Sequence, residues 1–522
     1  MTDSYNRIHW GIYAIGEGTI MAEPFKIVIG LEIHVQLLTK TKLFCGCANQ
    51  FGLPPNTAVC PVCLGLPGSL PVMNRKAFEL SLKAAMALNC QIATHPGEKP
   101  GFTKWDRKNY YYPDLPKNYQ ISQYDLPFSH EGYLDINVHP DPKKGYTPKR
   151  IGIIRAHLEE DAGKNTHDET GRGGDTRVDL NRTGTPLLEI VSQPEMNSPE
   201  EAMAYLDEVR LLLRELGVSD CEMQEGSLRC DANVNIHVPM SSEAKGYAAT
   251  PLVEIKNLNS FRSVGRAIVY EAKRQFEEFE KDPANYRIDK YLKTTAGWDD
   301  AKGRTEVQRH KEDAADYRYF PEPDLVPVIV TEAQLDAIRA TMGELPQAQR
   351  LRLQTQYGLS PYDAEVFVAK GRKTVAYLEA VTKIVGDGKM AANRISDLVF
   401  PALTDRKEEI DAFPVSASTY ADFIQKTGSL NKQDRVDIFK IILETGATVE
   451  DAKVSAGVKE FDDTALREAV VVAIAANPKA LADFKAGKDA AKMAMVGHVM
   501  KNNKGAANDV VRKLLDEELA KR

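Results

Sequence analysis

The stretch EGSLRCDANVNI, residues 225–236, alternates strictly between polar and apolar side chains. Successive residues of an extended strand point to opposite faces of its sheet. Glu225, Ser227, Arg229, Asp231, Asn233 and Asn235 therefore share one face, and Gly226, Leu228, Cys230, Ala232, Val234 and Ile236 share the other. Such a strand lays one face on a hydrophobic core and leaves a row of acids, amides and a guanidinium on the other. KIVIGLEIHVQLL, residues 26–38, has the same character: Glu32 and His34 point one way, Ile33 and Val35 the other. The triplet Leu-Glu-Ile recurs at 188–190, and Val253-Glu254-Ile255 is a near copy. These strands constrain the chain to a sheet that is packed on one face and acidic on the other.

Carboxylates gathered on one sheet face repel, and burial raises their pKa values unless cations compensate. Oxygen ligands with at most one imidazole suit Mg²⁺ or Mn²⁺. Glu32 and His34 are thus expected to hold a cation together, with Glu189 and Glu254 as further candidates; a solvated face or a structural ion pair is the alternative for any one acid. IRAHLEEDAGK aligns Glu159 with Arg155 and His157 but turns Glu160 toward Ile154 and Leu158, unless a bulge or strand end re-aims it. No Gly-x-x-x-x-Gly-Lys-Ser/Thr loop, Gly-x-Gly-x-x-Gly or His-Glu-x-x-His motif is present. Any nucleotide is therefore held through metal and sheet.

Of seven cysteines, Cys45 and Cys47 lie in FCGCAN, and Cys60 and Cys63 in VCPVCLG. Two close pairs across a short Gly/Pro/Asn loop bring four sulfurs around one tetrahedral ion, for which zinc is best suited. With no vacant ligand position, the role is structural; four reduced, unligated cysteines are the alternative. The odd count and this clustering indicate an intracellular, cytoplasmic setting over a disulfide framework. The first twenty residues show no secretory pattern, and no apolar run approaches the ~20 residues of a membrane span. The net charge of −7 excludes a protein coated for nucleic acid, so RNA binding requires local basic patches. One is WDRKNYYYPDLPKNYQISQYD, residues 105–125, in which Arg107, Lys108 and Lys117 interleave with tyrosines. Another is the tail, with Lys485, Lys488, Lys492, His498, Lys501 and Lys504. A Tyr-rich loop packed on the core and a solvated helix face are the respective alternatives.

With 522 residues, two to four domains are expected. The sequence reads as an N-terminal extension over 1–24, a strand-rich domain over 25–295, a helical domain over 296–413 and a small helical tail over 414–522. In SPEEAMAYLDEVRLLLRELG, Ser198 is a candidate N-cap and Gly217 a candidate stop.

VIGLEIHVQL, DRKNYYYPDLPKNYQISQYD, RAHLEEDAGK, VDLNRTGTPLLEIVSQPE, EGSLRCDAN, EIKNLNSF and DYRYFPEPDL together resemble the B-subunit family of the aspartyl/glutamyl-tRNA(Asn/Gln) amidotransferase. The similarity continues more weakly through NPKALADFKAGK and VGHVMKNNKGAAND, so it covers nearly the whole chain. It implies an α+β chain: an antiparallel-sheet cradle like the glutamine synthetase catalytic domain, bearing a zinc insertion at 45–63, then a helical domain and an all-α tail. It implies a carbon–nitrogen ligase that uses Mg-ATP to phosphorylate the side-chain carboxylate of misacylated Glu-tRNA(Gln) or Asp-tRNA(Asn). Ammonia from the glutaminase A subunit then displaces phosphate, and a C subunit completes a heterotrimer. Carried over by residue, the resemblance assigns Mg²⁺ to Glu32, His34, Glu160 and Glu225, with Glu159, Glu189 and Glu254 as second choices. It ranks Glu160 above Glu159, against the alternation argument. It places Lys108 and Lys117 with Glu32 and Glu160 in the catalytic set, zinc on Cys45, Cys47, Cys60 and Cys63, and tRNA on Lys485, Lys488, Lys492, Lys501 and Lys504. A non-catalytic zinc-bearing tRNA-binding adaptor is the rival reading, and a metal-dependent phosphohydrolase acting alone is a second.

Overall fold

The computed structural model describes residues 24–93, 101–138, 146–166, 175–310, 317–458, 463–503, 506 and 508–521. Residues 1–23 of the N-terminal extension and Lys504 lie outside these residues. The chain divides into two compact units, one ending at Ala348 and the other running from Gln349 onward.

The first unit is organised on a ten-stranded sheet. From one edge its strands run Arg304–His310, Thr294–Asp299, Val253–Leu258, Leu228–Pro239, Lys26–Gln36, Pro186–Ser192, Thr147–Glu160, Ser129–Val138 and Gln91–Ile92, with Tyr247–Ala249 added on Leu228–Pro239. All pairs are antiparallel except Val253–Leu258 with Thr294–Asp299. The Lys26–Gln36 strand lies in the middle. Its odd-numbered residues Ile29, Leu31, Ile33 and Val35 are fully buried, while Glu32 and His34 on the other face are half-buried. Helices Arg75–Ala87, Pro199–Glu215 and Phe261–Lys281 close over the apolar face, where Phe78, Tyr205, Leu206 and Val264 join the strand side chains in one core. The Pro199–Glu215 helix forms as its sequence predicts. Ser198 Oγ accepts from Glu201 N at 3.2 Å, Pro199 occupies the first turn, and Gly217 ends it with a left-handed φ of 65°.

The sheet does not stop at residue 295, the expected end of the first domain. Thr294–Asp299 and Arg304–His310 extend it, and Phe320–Pro321 pairs with Asp106–Asn109 in a separate small sheet that also includes Tyr119–Ser122. TTAGWD lacks polar–apolar alternation because five of its six residues are buried, so the period that marks a one-sided strand is missing.

In the second unit the expected division at 414 cuts through a packed cluster. Tyr377 and Phe413 meet Tyr420 and Phe439, with ring centroids 5.5–6.5 Å apart. Tyr377 Oη also donates to Val415 O at 3.1 Å. A distinct small core forms later, from Leu466, Val470, Ile474, Met495, Val499 and Leu515. Pro414 therefore reads as a linker locally, yet aromatic packing bridges it.

Gly132, on the Ser129–Val138 strand, approaches the end of the Arg75–Ala87 helix so closely that a β-carbon there would fall 2.6 Å from Leu88 O and would overlap Cys90 Sγ. Leu88 O already accepts from Tyr133 N at 2.9 Å. Gly132→Ala is expected to destabilise the first unit by about 1–3 kcal/mol through overpacking. Denaturant unfolding followed by tryptophan fluorescence checks this; an unchanged midpoint refutes the close approach.

Candidate functional site: two carboxylate clusters on one sheet face

Pairing register builds the site. His34 lies opposite Arg229 on one side and Glu189 on the other, and Glu189 lies opposite His157. Four residues from four neighbouring strands thus form one row across the polar face. His34 Nε2 lies 3.3 Å from Glu189 Oε2 and 3.6 Å from Glu159 Oε1. His157 Nε2 lies 3.5 Å from the same Glu189 oxygen, and its buried Nδ1 has no hydrogen-bond partner among the described residues.

A second row lies two residues away along the central strand. Glu32 is opposite Asp231, and Glu254 comes in from the next strand, opposite Asn233. Asn233 Nδ2 donates to Glu32 Oε1 at 2.9 Å, while its own buried Oδ1 has no partner among the described residues. Lys256 Nζ bridges Asp231 and Glu254, at 2.5 and 2.9 Å. Both sets, His34–Glu159–Glu189 and Glu32–Asp231–Glu254, bring one donor atom per residue within 4.8 Å of one another. Glu32 and His34 do share a face, but they fall in two different clusters. Adjacent same-face residues of a strand sit a full pleat repeat apart, and each is completed by a different neighbour.

The first cluster is electrostatically loaded. Burial works to lower the His34 pKa, but its hydrogen bond to Glu189 and the charges of Glu189, Glu159 and Asp231 raise it to about 9. Burial pushes Glu159 upward, and the Glu189 charge adds to that. Glu189 goes the other way: burial opposes its charge, yet His157 and His34 hold it below the usual carboxylate range. Burial takes the His157 pKa down to about 4. Lys108 approaches from the small sheet. Burial opposes its ammonium, but Glu159 and Glu189 outweigh that and raise its pKa; its Nζ sits 5.2 Å over the Tyr317 ring. Two carboxylates and an imidazole, which becomes a donor once it loses its proton, make up a donor set that suits a hard divalent cation.

Glu160 and Glu225 join neither cluster. The Thr147–Glu160 strand bulges between Ile153 and Arg155, so Ala156, Leu158 and Glu160 share the face opposite His157 and Glu159. At the strand's end Glu160 pairs with Lys117 Nζ and accepts from Ile121 N at 2.8 Å, while its carbonyl accepts from Gln120 Nε2 at 2.8 Å. Glu225 is exposed in a turn before the Leu228–Pro239 strand begins, so the alternation that placed it on the acidic face does not reach it. Arg107, grouped by sequence with Lys108, points away and forms a two-pronged pair with Glu322 at 2.6 and 2.8 Å. Alternation marks Asp231 and Arg229 only as members of a polar face, and the sequence analysis missed Lys256 and Tyr317. Lys256 sits two residues after Glu254 on the same strand face, a signal that alternation offers.

The four cysteines converge as their spacing predicts. Cys63 Sγ lies 3.4 Å from Cys45 Sγ and 3.7 Å from both Cys47 Sγ and Cys60 Sγ. Four sulfurs around a tetrahedral ion at ~2.3 Å stand ~3.8 Å apart, so the cluster is at metal-binding distance. Lys42, 0% exposed, points its Nζ at Cys63 Sγ (3.5 Å) and at Ala58 O (2.7 Å). In the tail, Lys485, Lys488 and Lys501 are exposed, whereas Lys492 is engaged by Asp489 and Asp516 at 2.9 and 2.8 Å. Lys488 pairs with Asp483 at 3.1 Å. Among the described residues no helix is long and apolar enough to cross a membrane.

Residues 27–336 match the family described as GatB/GatE catalytic domain, and residues 376–519 match the family described as GatB domain. The B subunit of the aspartyl/glutamyl-tRNA(Asn/Gln) amidotransferase of Rhodopirellula baltica is 50% identical over 500 residues, covering 95% of this chain and 97% of its own. Proteins of the same name from Moorella thermoacetica and Caldanaerobacter subterraneus subsp. tengcongensis are 45% and 44% identical, each across 95% of this chain and 100% of their own.

The His34 shift fixes a pH dependence for the metal-free protein. Its folded pKa of about 9 exceeds the ordinary 6.5, so its stabilisation is complete below pH 6.5 and is lost as pH rises through 9. In chelator, His34→Gln is expected to be less stable than wild type by on the order of 2–3 kcal/mol near pH 6, the gap closing above pH 9. Denaturation across that range checks it; a gap independent of pH refutes a charged His34.

Proposed function

The chain belongs to the GatB/GatE family, and from that premise we propose that it is the B subunit of a tRNA-dependent amidotransferase, converting Glu-tRNA(Gln), Asp-tRNA(Asn) or both to the amidated forms. A carboxylate is a poor electrophile at neutral pH. Transfer of the γ-phosphoryl of ATP to a side-chain carboxylate oxygen gives an acyl phosphate and ADP. Ammonia then attacks the acyl carbon, phosphate leaves, and the amide forms with loss of a proton. Phosphoryl transfer rests on positioning and charge neutralisation more than on a protein nucleophile. The observation that carries the proposal is the pair of carboxylate clusters, His34–Glu159–Glu189 and Glu32–Asp231–Glu254, side by side on one sheet face.

Mg²⁺ held by these oxygens would neutralise phosphate charge and orient the transferring group. The chain's own cations have complementary places. Lys256 pairs with Asp231 and Glu254, and the charges of Glu159 and Glu189 act on Lys108, so each cluster has a cation to meet a phosphate or a reacting carboxylate. Tyr317 and Tyr319 beside Lys108 offer stacking faces to a base. Glu160 acts through Lys117, whose charge it neutralises, on the far side of the Glu159 strand face. Ammonia comes from a glutaminase A subunit, with a C subunit completing the heterotrimer. The exposed Lys485, Lys488 and Lys501 suit tRNA phosphates. Zinc at Cys45, Cys47, Cys60 and Cys63 is structural, since four sulfurs leave no open position.

The assay uses the chain with its partner subunits, Mg-ATP, misacylated tRNA and ammonium chloride, which bypasses the glutaminase. Glu189→Gln is expected to lower amide formation and ADP release by about 100-fold or more with tRNA binding retained. Product from wild type that survives this substitution unchanged overturns the site. No product from wild type on either tRNA favours the adaptor reading. Elemental analysis is expected to find one zinc per chain, lost in Cys60→Ser together with a lower unfolding temperature; full zinc content in that variant overturns the ligand set.

A further inference from the structure

The cysteine cluster and the Lys117–Glu160 pair touch. Cys60 caps and Cys63 lies within a one-turn helix, Pro61–Leu64, which ends at Gly65 with φ 65°. Gly65 N donates to Val62 O at 3.1 Å, and Leu66 N donates to Pro61 O at 2.9 Å, which locks the turn. The open side of Gly65 lies flat on the stem of Lys117. A β-carbon at Gly65 would fall 2.5 Å from Lys117 Cγ and 3.1 Å from both its Cα and its Cβ. No side chain fits there, and two of those atoms are too close to the backbone to swing away. Lys117 is nearly buried, and its ammonium ends on Glu160. From the other side, the Lys42 stem passes Gly184, and a β-carbon at Gly184 would stand 3.6 Å from Lys42 Cδ and 3.7 Å from Glu160 Oε2. The Lys42 ammonium reaches Cys63.

We propose that the four-cysteine knuckle is the wall that positions Lys117 against Glu160, with Gly65 as the contact point. The consequence for amidation rests on the function proposed above; the mechanical claim does not. Gly65 is a positioning residue: it touches no substrate and acts through Lys117. Its glycine is required by two separable demands, the left-handed backbone and the missing β-carbon. Gly68, three residues on in the same loop, meets only the first. Its φ is 84°, and a β-carbon there finds nothing within 4 Å. The pair therefore separates backbone strain from contact with Lys117. Cys45, Cys47, Cys60 and Cys63 would hold a metal that braces the turn presenting Gly65, so its removal would loosen the same wall.

The test compares Gly65→Ala, Gly65→Asn and Gly68→Ala in the full chain. Asn tolerates the left-handed backbone but still carries a β-carbon, so it keeps the collision if Ala folds poorly. The first readout is independent of activity: hydrogen exchange over residues 115–122, where Ile121 N is protected by Glu160. Both Gly65 variants, and wild type stripped of metal, are expected to exchange at least tenfold faster there; Gly68→Ala is not. The second readout is ammonium-driven amidation in the assembled complex. Gly65→Ala and Gly65→Asn are expected to lower kcat about tenfold with KM for tRNA unchanged. Neither is expected to lower it further in a Lys117→Met background, because both act on one interaction. Equal exchange in Gly65→Asn and wild type overturns the proposal, as does an equal effect of Gly68→Ala, or a Gly65 effect that persists undiminished without Lys117. Altered exchange with no amidation by wild type leaves the wall standing and overturns the function instead.

Discussion

The site depends on the register of one strand. Lys26–Gln36 pairs on both sides, with Leu228–Pro239 and Pro186–Ser192, and these pairings bring Arg229, His34, Glu189 and His157 into a row. A slip of one residue would turn Glu32 and His34 into the core and Ile33 into the site. The fully buried Ile29, Leu31, Ile33 and Val35 make that slip costly, since each apolar side chain contributes about 1.5–3 kcal/mol by burial. The same hydrophobic face that folds the sheet therefore holds the acids in line on the other side.

Charge is distributed so that this acidic face survives burial. Every carboxylate of the two clusters is met by a neighbouring positive or polar group: Lys256 at Asp231 and Glu254, Asn233 at Glu32, and His34 at Glu159 and Glu189. The hydrogen bond to Glu189 and the charges of Glu189, Glu159 and Asp231 raise the His34 pKa against the pull of burial. Buried charges that are paired in this way avoid the large cost of an uncompensated buried ion. The cysteine cluster follows different rules. Its sulfurs gather in a short loop, with the Lys42 ammonium beside Cys63, and it shapes its surroundings without facing them.

Much of this was legible in the sequence, and unevenly so. The strand-rich start and helical remainder, the acidic sheet face, the four-cysteine set and the caps of the Pro199–Glu215 helix follow from local pattern, while the α+β class came with the family resemblance. The alternation argument also put Glu159 rather than Glu160 beside His157, as the structure does, although the resemblance ranked them the other way. Glu225 was misplaced because its strand begins at Leu228, and strand ends carry no signal in a polar turn. The strand Thr294–Asp299 was hidden because a doubly buried strand loses its alternation.

What the sequence determined by itself is which face each side chain takes, because the period of two is a property of the local backbone. It also determined the meeting of Cys45, Cys47, Cys60 and Cys63, which a short loop makes entropically cheap. Only the tertiary structure decided which same-face residues become neighbours. Asn233 meets Glu32 across 201 residues of sequence, and no local pattern encodes that register. It likewise decided that Glu32 and His34, two apart in sequence, serve different clusters, and that Lys42, like any other lysine in its local sequence, is buried against Cys63. The physical reason is the same throughout: local periodicity orients a side chain, but its partner is chosen by the packing that brings distant strands side by side.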